Sequence, residues 1–138
     1  MRVTQSAALP WRRLSDGGIA MLLVTSRRTR RWIIPKGHIE RGMTAAASAA
    51  KEALEEAGVT GRIGGKVGTF DYDKLLTSGA ARRLRVSVFP LEVVEELDEW
   101  EEQALRERAW FAPEEAAAAT AEPELQAIIR RFAAQLVV

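Results

Sequence analysis

The chain has 138 residues, 47% of them hydrophobic and 28% charged, with a formal net charge of +1. That is enough for one domain with a real core, and the charge balance excludes a strongly basic nucleic-acid binder while leaving room for local basic patches; no nucleic-acid polymer is expected as partner. The absence of cysteine excludes disulfides, thiolate metal sites and cysteine nucleophiles, and the single histidine, His38, excludes a multi-histidine metal centre within one chain.

Met1 to Pro10 holds one arginine, and no apolar core of signal-peptide length follows. The longest strongly apolar run, Ile19 to Val24, is too short to cross a bilayer. A cytoplasmic location is the expectation, with no membrane partner.

In chain order, Ser6 to Leu9 reads as a short edge strand ended by Pro10, and Ser15-Asp16-Gly17-Gly18 as a turn. Ile19 to Thr25 (IAMLLVT) is a continuous apolar run, expected as a strand buried on both faces. Arg27, Arg28, Thr29, Arg30 and Arg31 form a basic loop. Trp32 to Ile34 is a short strand halted by Pro35, and Lys36 to Gly42 a loop.

Thr44 is a candidate N-cap for a helix over Ala45 to Ala57, with Gly58 at the left-handed C-cap position. Val59 to Tyr72, punctuated by glycine, predicts one bent strand or two short ones, and Leu75 to Ala81 a loop. Arg83 to Val94 alternates with period two, and its Pro90 suggests an edge or a bulge. An acidic loop surrounds Trp100, a short strand covers Arg108 to Phe111, and Pro113 starts a short helix. Pro123 starts the last helix, with Leu125, Ile128, Ile129 and Phe132 as its apolar stripe. Strands, helix, strands, helices make an α/β or α+β single domain over residues 1–138.

The chemistry concentrates in Lys51 to Val59 (KEALEEAGV). Glu52, Glu55 and Glu56 are three and four positions apart, so on a regular helix their carboxylates share a face and repel. A cation reverses that repulsion; the plain alternative is a solvated acidic face. The preceding stretch favours the cation. Gly37 lets the backbone approach a ligand, and a freed carbonyl completes an oxygen shell. Lys36 supplies a point charge for a phosphate. With only oxygen ligands on offer, the metal is Mg²⁺, with Mn²⁺ or Ca²⁺ as alternatives. The arrangement suits metal-assisted attack of water on a phosphoanhydride.

Gly37 to Val59 resembles the Nudix box, G-x5-E-x7-R-E-U-x-E-E-x-G-U, where U is a bulky apolar residue. Gly37, Glu52, Glu55, Glu56, Gly58 and Val59 fall on motif positions. Met43 stands in place of the first glutamate, Lys51 in place of the arginine, and Ala53 is smaller than the usual residue. Nearly the whole chain takes part in the resemblance. Trp32 to His38 (WIIPKGH) is similar to the approach to the box in diphosphoinositol polyphosphate and diadenosine polyphosphate hydrolases. Glu99-Trp100-Glu101, Arg106 to Phe111 and the closing helix are similar to the diphosphoinositol branch.

The resemblance implies an α/β/α sandwich with a mixed sheet between helices, and a Mg²⁺-dependent pyrophosphohydrolase with Mn²⁺ as alternative ion. It implies Glu52 and Glu56 as main metal ligands, Glu55 as ligand or base, the Gly37 carbonyl in the metal shell, and Lys51 as the brace of a catalytic glutamate. Lysine keeps the charge there but lacks the bidentate fork. With Met43 in the box, Glu99, Glu101 and Glu102 are candidates to supply an acid from outside it. For substrate, the candidates are Lys36, His38, Arg31 with its neighbours in the basic loop, Arg83 and Arg85, with Arg106 and Arg108 matching basic positions of the branch. Thr4, Gln5 and Ser6 stand where that branch is basic, which counts against an inositol substrate. Trp11, Trp32, Phe70, Tyr72 and Trp100 are candidates to stack on a base. Trp100 leads, because a polar loop gives it no core to fill.

The substrate implied is a phosphorylated small molecule, a dinucleoside polyphosphate or a diphosphoinositol-like compound, handled by a monomer or homodimer. The contrasting reading is a nucleotide- or phosphate-binding regulatory module that keeps the fold with weak or no catalysis, motivated by Met43 and Lys51.

Overall fold

The computed structural model describes residues 3–136. One mixed sheet of eight strands runs β3-β2-β1-β7-β5, with β4 also on β1, β6 on β7 and β8 on β2. The strands are β1 (Val3–Arg13), β2 (Ile19–Thr25), β3 (Trp32–Ile33), β4 (Lys36–His38), β5 (Val59–Ile63), β6 (Gly68–Leu75), β7 (Ala81–Glu96) and β8 (Arg108–Phe111). Helix α1 (Ala45–Glu52) and a π-helical turn (Ala53–Ala57) cover one face; α2 (Pro113–Ala119) and α3 (Pro123–Leu136) cover the other. This is the expected α/β/α layering.

Alternation along the strands builds both cores. Every residue of β2 is buried, as its unbroken apolar run requires. Ile19, Met21 and Leu23 pack with Leu125, Ile128, Ile129 and Phe132 of α3, while Leu22 and Val24 pack under α1. On α1 and its π-turn, Ala49, Ala53 and Ala57 are fully buried, so the helix sits close on Ala8, Leu22, Val24 and Phe89.

Two strands depart from the sequence reading. The segment taken as a short edge strand is the eleven-residue β1, parallel to β7 on one side. On its other side β1 pairs with β4 at Gln5 to Ala7 and with β2 at Trp11 to Arg13. Backbone N–H groups alternate sides along a strand, and the Ala8 N–H donates to Pro35 O on the β4 side. Pro10, two residues on, therefore faces the gap between β4 and β2, where its missing donor breaks no ladder bond. Pro90 occupies the matching position in the sixteen-residue β7, between Val88, paired to β6, and Leu91, paired to β5. It marks neither an edge nor a bulge.

The stretch read as the loop Lys36 to Gly42 opens with β4, which fixes Gly37 opposite Ser6 of β1. The glycine-punctuated segment after α1 is two strands, β5 and β6. Thr44 caps α1, accepting at 3.0 Å from the Ala47 N–H. Gly58 ends the helical segment at φ 67°, as expected of a left-handed cap. The regular helix stops at Glu52, however, and the next five residues form the π-turn. A π-turn closes i→i+5 bonds and is wider than an α-turn; Glu56, inside it, still faces the same cavity as Glu52.

Candidate active site

The carboxylate pair comes from the end of α1 and from the π-turn, facing β4. A Cβ on Gly37 would lie 2.3 Å from Glu52 Oε2 and 2.7 Å from Oε1. The Glu52 carboxylate thus fills the space that any other residue at position 37 would occupy. Glu56 is 5% exposed. Its Oε1 accepts from the Lys36 N–H at 3.3 Å, and its Oε2 lies 3.6 Å from Arg106 Nη2.

Both carboxyl groups are pushed from the ordinary 4.5 up to about 7. Burial is the main cause for each. The charges of Glu55, Glu102 and Glu40 add to it for Glu52, and those of Glu52 and Glu102 for Glu56, against the opposing charges of Lys51 beside Glu52 and of Arg106 and Lys36 beside Glu56. Burial also brings the Lys36 ammonium, which lies 4.9 Å over the Tyr72 ring, down to about 8, against the charges of Glu56 and Glu122.

A divalent cation fits this donor set: two crowded, partly desolvated carboxylates, with the Gly37 backbone close beside one of them. Among the described residues, no group of three or more His, Cys, Asp or Glu side chains already stands in a metal-holding arrangement. The candidate ligands are therefore Glu52, Glu56 and the Gly37 carbonyl.

Glu55, the further expected ligand or base, is held by Lys51. Its carboxylate accepts from Lys51 Nζ at 3.0 and 3.2 Å, and Lys51 Nζ also donates to Glu40 Oε1 at 2.7 Å. Neither Glu55 nor Lys51 lines either of the two cavities of the site. Lys51 braces two carboxylates, Glu55 and Glu40, and Glu55 stays close enough for its charge to act on Glu52. The Lys51 ammonium is held above its usual range by these two carboxylates.

Two adjoining cavities, of about 350 and 380 Å³, meet at Gln5, Arg27, Lys36, Glu56, Lys74 and Arg106. Glu52, Glu40, Glu102, Gly37 and His38 line one of them. Arg28, Arg31, Ile33, Tyr72 and Glu122 are among those lining the other. Lys36, His38 and Arg31 are thus brought to the cavities, and so is Tyr72, whose hydroxyl donates to Gln5 Oε1 at 3.0 Å.

Arg83, Arg85 and Trp100 are not brought there. Arg83 and Arg85 stand directly across from Asp73 and Asp71 in the β6–β7 ladder, and each is ion-paired with its opposite residue at 3.1 Å. Trp100 Nε1 donates to Glu56 O at 3.1 Å, and the Arg108 guanidinium lies 3.8 Å over its ring. Arg108 in turn donates to Ala57 O and Leu97 O. Trp100 and Arg108 close the carboxyl end of the helical segment around Gly58. Arg30 donates to Leu105 O, away from both cavities. Trp11, Trp32 and Phe70 pack in or against the α3-side core.

Arg106 is the functional residue that sequence reasoning undervalued. It is nearly buried and binds Glu102 Oε1 at 2.9 Å and Thr25 O at 3.0 Å while facing Glu56. It therefore ties both carboxylates to the end of β2. Gln5 and Glu122 also line the site without any sequence signal. Of the outside acids proposed to replace the glutamate missing at Met43, Glu102 lines the cavity, while Glu99 and Glu101 do not.

The raised carboxyl values give a pH dependence with a defined sign. Between about 4.5, where the unfolded groups titrate, and about 7, the folded protein binds more protons than the unfolded one. In chelator, the stability contribution of these two groups is greatest below this window, falls as pH rises through it, and is level above. Glu52→Gln should remove part of that fall. The check is the wild-type-minus-variant difference in Tm across the window; a difference that does not change with pH contradicts it.

A description of the NUDIX domain matches residues 4–132. Over 106 residues the chain is 35% identical to "Nudix hydrolase 18, mitochondrial" of Arabidopsis thaliana, covering 74% of this chain and 58% of that protein. Over 98 residues it is 37% identical to diphosphoinositol polyphosphate phosphohydrolase 3-alpha of Mus musculus, covering 70% of this chain and 56% of that one. The chain thus spans little more than half the length of these relatives. A C. elegans Ap4A hydrolase in a binary complex superposes with a TM-score of 0.72 at 24% identity, over 97% of both chains, which shows a shared fold.

Proposed function

The chain belongs to the Nudix family, and on that premise we propose that it is a Mg²⁺-dependent pyrophosphohydrolase cleaving a phosphoanhydride bond of an organic diphosphate. The observation that carries this reading is the pair of half-buried Glu52, against Gly37, and buried Glu56, at the junction of two cavities lined by basic side chains. Bound there, Mg²⁺ would supply charge neutralisation for the attacking and leaving oxygens. Lys36, Arg27 and Arg106, at the junction, hold phosphate oxygens and stabilise charge as it moves to the leaving group. Arg106 keeps the Glu56 and Glu102 carboxylates in place. A carboxylate of the site, Glu52, Glu102 or Glu55, takes the proton of the attacking water.

The substrate proposed is a dinucleoside polyphosphate or a diphosphoinositol-like compound. Support comes from Arg27, Arg28 and Arg31 at one cavity and from the named activities of the relatives above. The location proposed is the cytoplasm; among the described residues no helix is long and apolar enough to cross a membrane. Cell fractionation decides between the cytoplasm and the mitochondrion of the plant relative's name.

The absence of a preassembled three-carboxylate cluster among the described residues favours one other reading, a phosphate-binding module with weak turnover. A panel of phosphoanhydrides incubated with and without Mg²⁺ separates them: metal-dependent product release supports the enzyme, and binding without release supports the module.

In the same panel, neutralising Arg27, Arg28 and Arg31 together should lower kcat/KM for a four-phosphate substrate by on the order of 10-fold at low salt, and for a two-phosphate one by less. Added salt should narrow the difference. Neutralising Arg83 and Arg85, which are already paired, should leave the ratio unchanged. Equal losses at both chain lengths would remove the polyphosphate reading and point to a nucleotide-sugar type of substrate.

A further inference from the structure

Ser6 Oγ and Arg12 Nε are the two buried side-chain polar atoms, among the described residues, that have no hydrogen-bond partner in the protein. Ser6 is 0% exposed. Strand alternation puts it on the face of Ala8, beneath α1, whereas Ala7 and Leu9 face α3. Its registered neighbours on that face are Gly37 of β4 and Ser87 of β7. Moving along β1 and β7, the floor under α1 changes from Ala8 and Phe89 to Ser6 and Ser87. It turns polar at the end where Glu52 stands.

Directly opposed residues on neighbouring strands have Cβ atoms about 4.5–5.5 Å apart. The Glu52 carboxylate occupies the Cβ position that Gly37 lacks, so it stands over the same face as Ser6, no more than roughly 8 Å from the Ser6 Cβ. A change of serine rotamer with a carboxylate shift would bring the two into hydrogen-bond contact. Close approach of α1 does not explain the serine, because alanine is smaller and buries no hydroxyl.

We propose that Ser6 is a positioning residue for Glu52: its hydroxyl donates to the Glu52 carboxylate when that carboxylate holds a divalent cation, and so fixes which oxygen faces the ion. This rests on the reading of Glu52 as a metal ligand.

The test is Ser6→Ala, measured by calorimetric titration with Mg²⁺ alone and by thermal unfolding in chelator. Loss of a group that orients a metal ligand weakens affinity by about 10-fold or more. The expected result is a rise in Mg²⁺ Kd of that order, and at least roughly threefold, with the chelator Tm unchanged or raised because an unpartnered buried hydroxyl is gone. A smaller rise overturns the proposal, and so does a lowered chelator Tm, which would mark a packing role. Glu52→Gln in parallel separates this from its premise. If Glu52→Gln loses Mg²⁺ binding and Ser6→Ala does not, only the Ser6 assignment fails; if Glu52→Gln binds like wild type, both fail.

Discussion

On the proposed function, Glu56→Gln should lower the Mg²⁺-dependent hydrolysis rate by at least ~100-fold, the order lost when a charge that stabilises a transition state is removed. Glutamine keeps the shape and still accepts from the Lys36 N–H, so the local backbone is held. What goes is a buried negative charge facing Arg106. Glu52→Gln should act alike, since its carboxylate is the other half of the pair. In chelator neither variant should unfold more easily at neutral pH, because each removes a carboxylate that burial and its acidic neighbours disfavour. Steady-state rates at saturating Mg²⁺ check the first statement and thermal scans the second. Wild-type rates in either variant would end the assignment.

Gly37→Ala separates the site from the fold. Gly37 is not among the residues with positive φ, so alanine meets no backbone penalty. The three atoms nearest its added methyl all belong to the Glu52 carboxylate, the end of a flexible side chain that can move aside. The protein should fold with a Tm close to wild type. Displacing a ligand should weaken Mg²⁺ binding and lower kcat by about 10-fold or more. Calorimetry, kinetics and a thermal scan of one preparation test this. An active, metal-binding alanine variant would mean that Glu52 needs neither its position over β4 nor the space glycine leaves.

Much of this was readable from single residues. Thr44 and Gly58 marked the ends of the helical segment because caps are local chemistry. IAMLLVT announced a doubly covered strand because no polar residue interrupts it. Pro10 and Pro90 misled for a physical reason: proline bars a ladder bond, but a strand that changes partners has a place where no bond is due. Regular helical spacing predicted that Glu52, Glu55 and Glu56 would converge. Glu52 and Glu56 do face one site while Glu55 is taken up by Lys51, and the π-turn that carries Glu55 and Glu56 was not legible, because nothing in ALEEA distinguishes a π-turn from an α-turn. Trp100 looked free to stack because its loop is polar, yet its indole closes the end of the helical segment. Arg83 and Arg85 looked like substrate contacts until the β6–β7 register set aspartates opposite them. Arg106 reaches Glu56 from 50 residues away in sequence, a long-range contact that no local pattern encodes.

The central claim is that water is added across a phosphoanhydride at the Glu52–Glu56 pair with the help of Mg²⁺. It is tested most directly by following a dinucleoside tetraphosphate in heavy-oxygen water, with Mg²⁺ or with chelator, for wild type and Glu56→Gln. The account predicts one solvent oxygen in a phosphoryl product per turnover for wild type with Mg²⁺, and almost no product in chelator or with the variant. Turnover that persists unchanged in chelator, or a variant as fast as wild type, would contradict it.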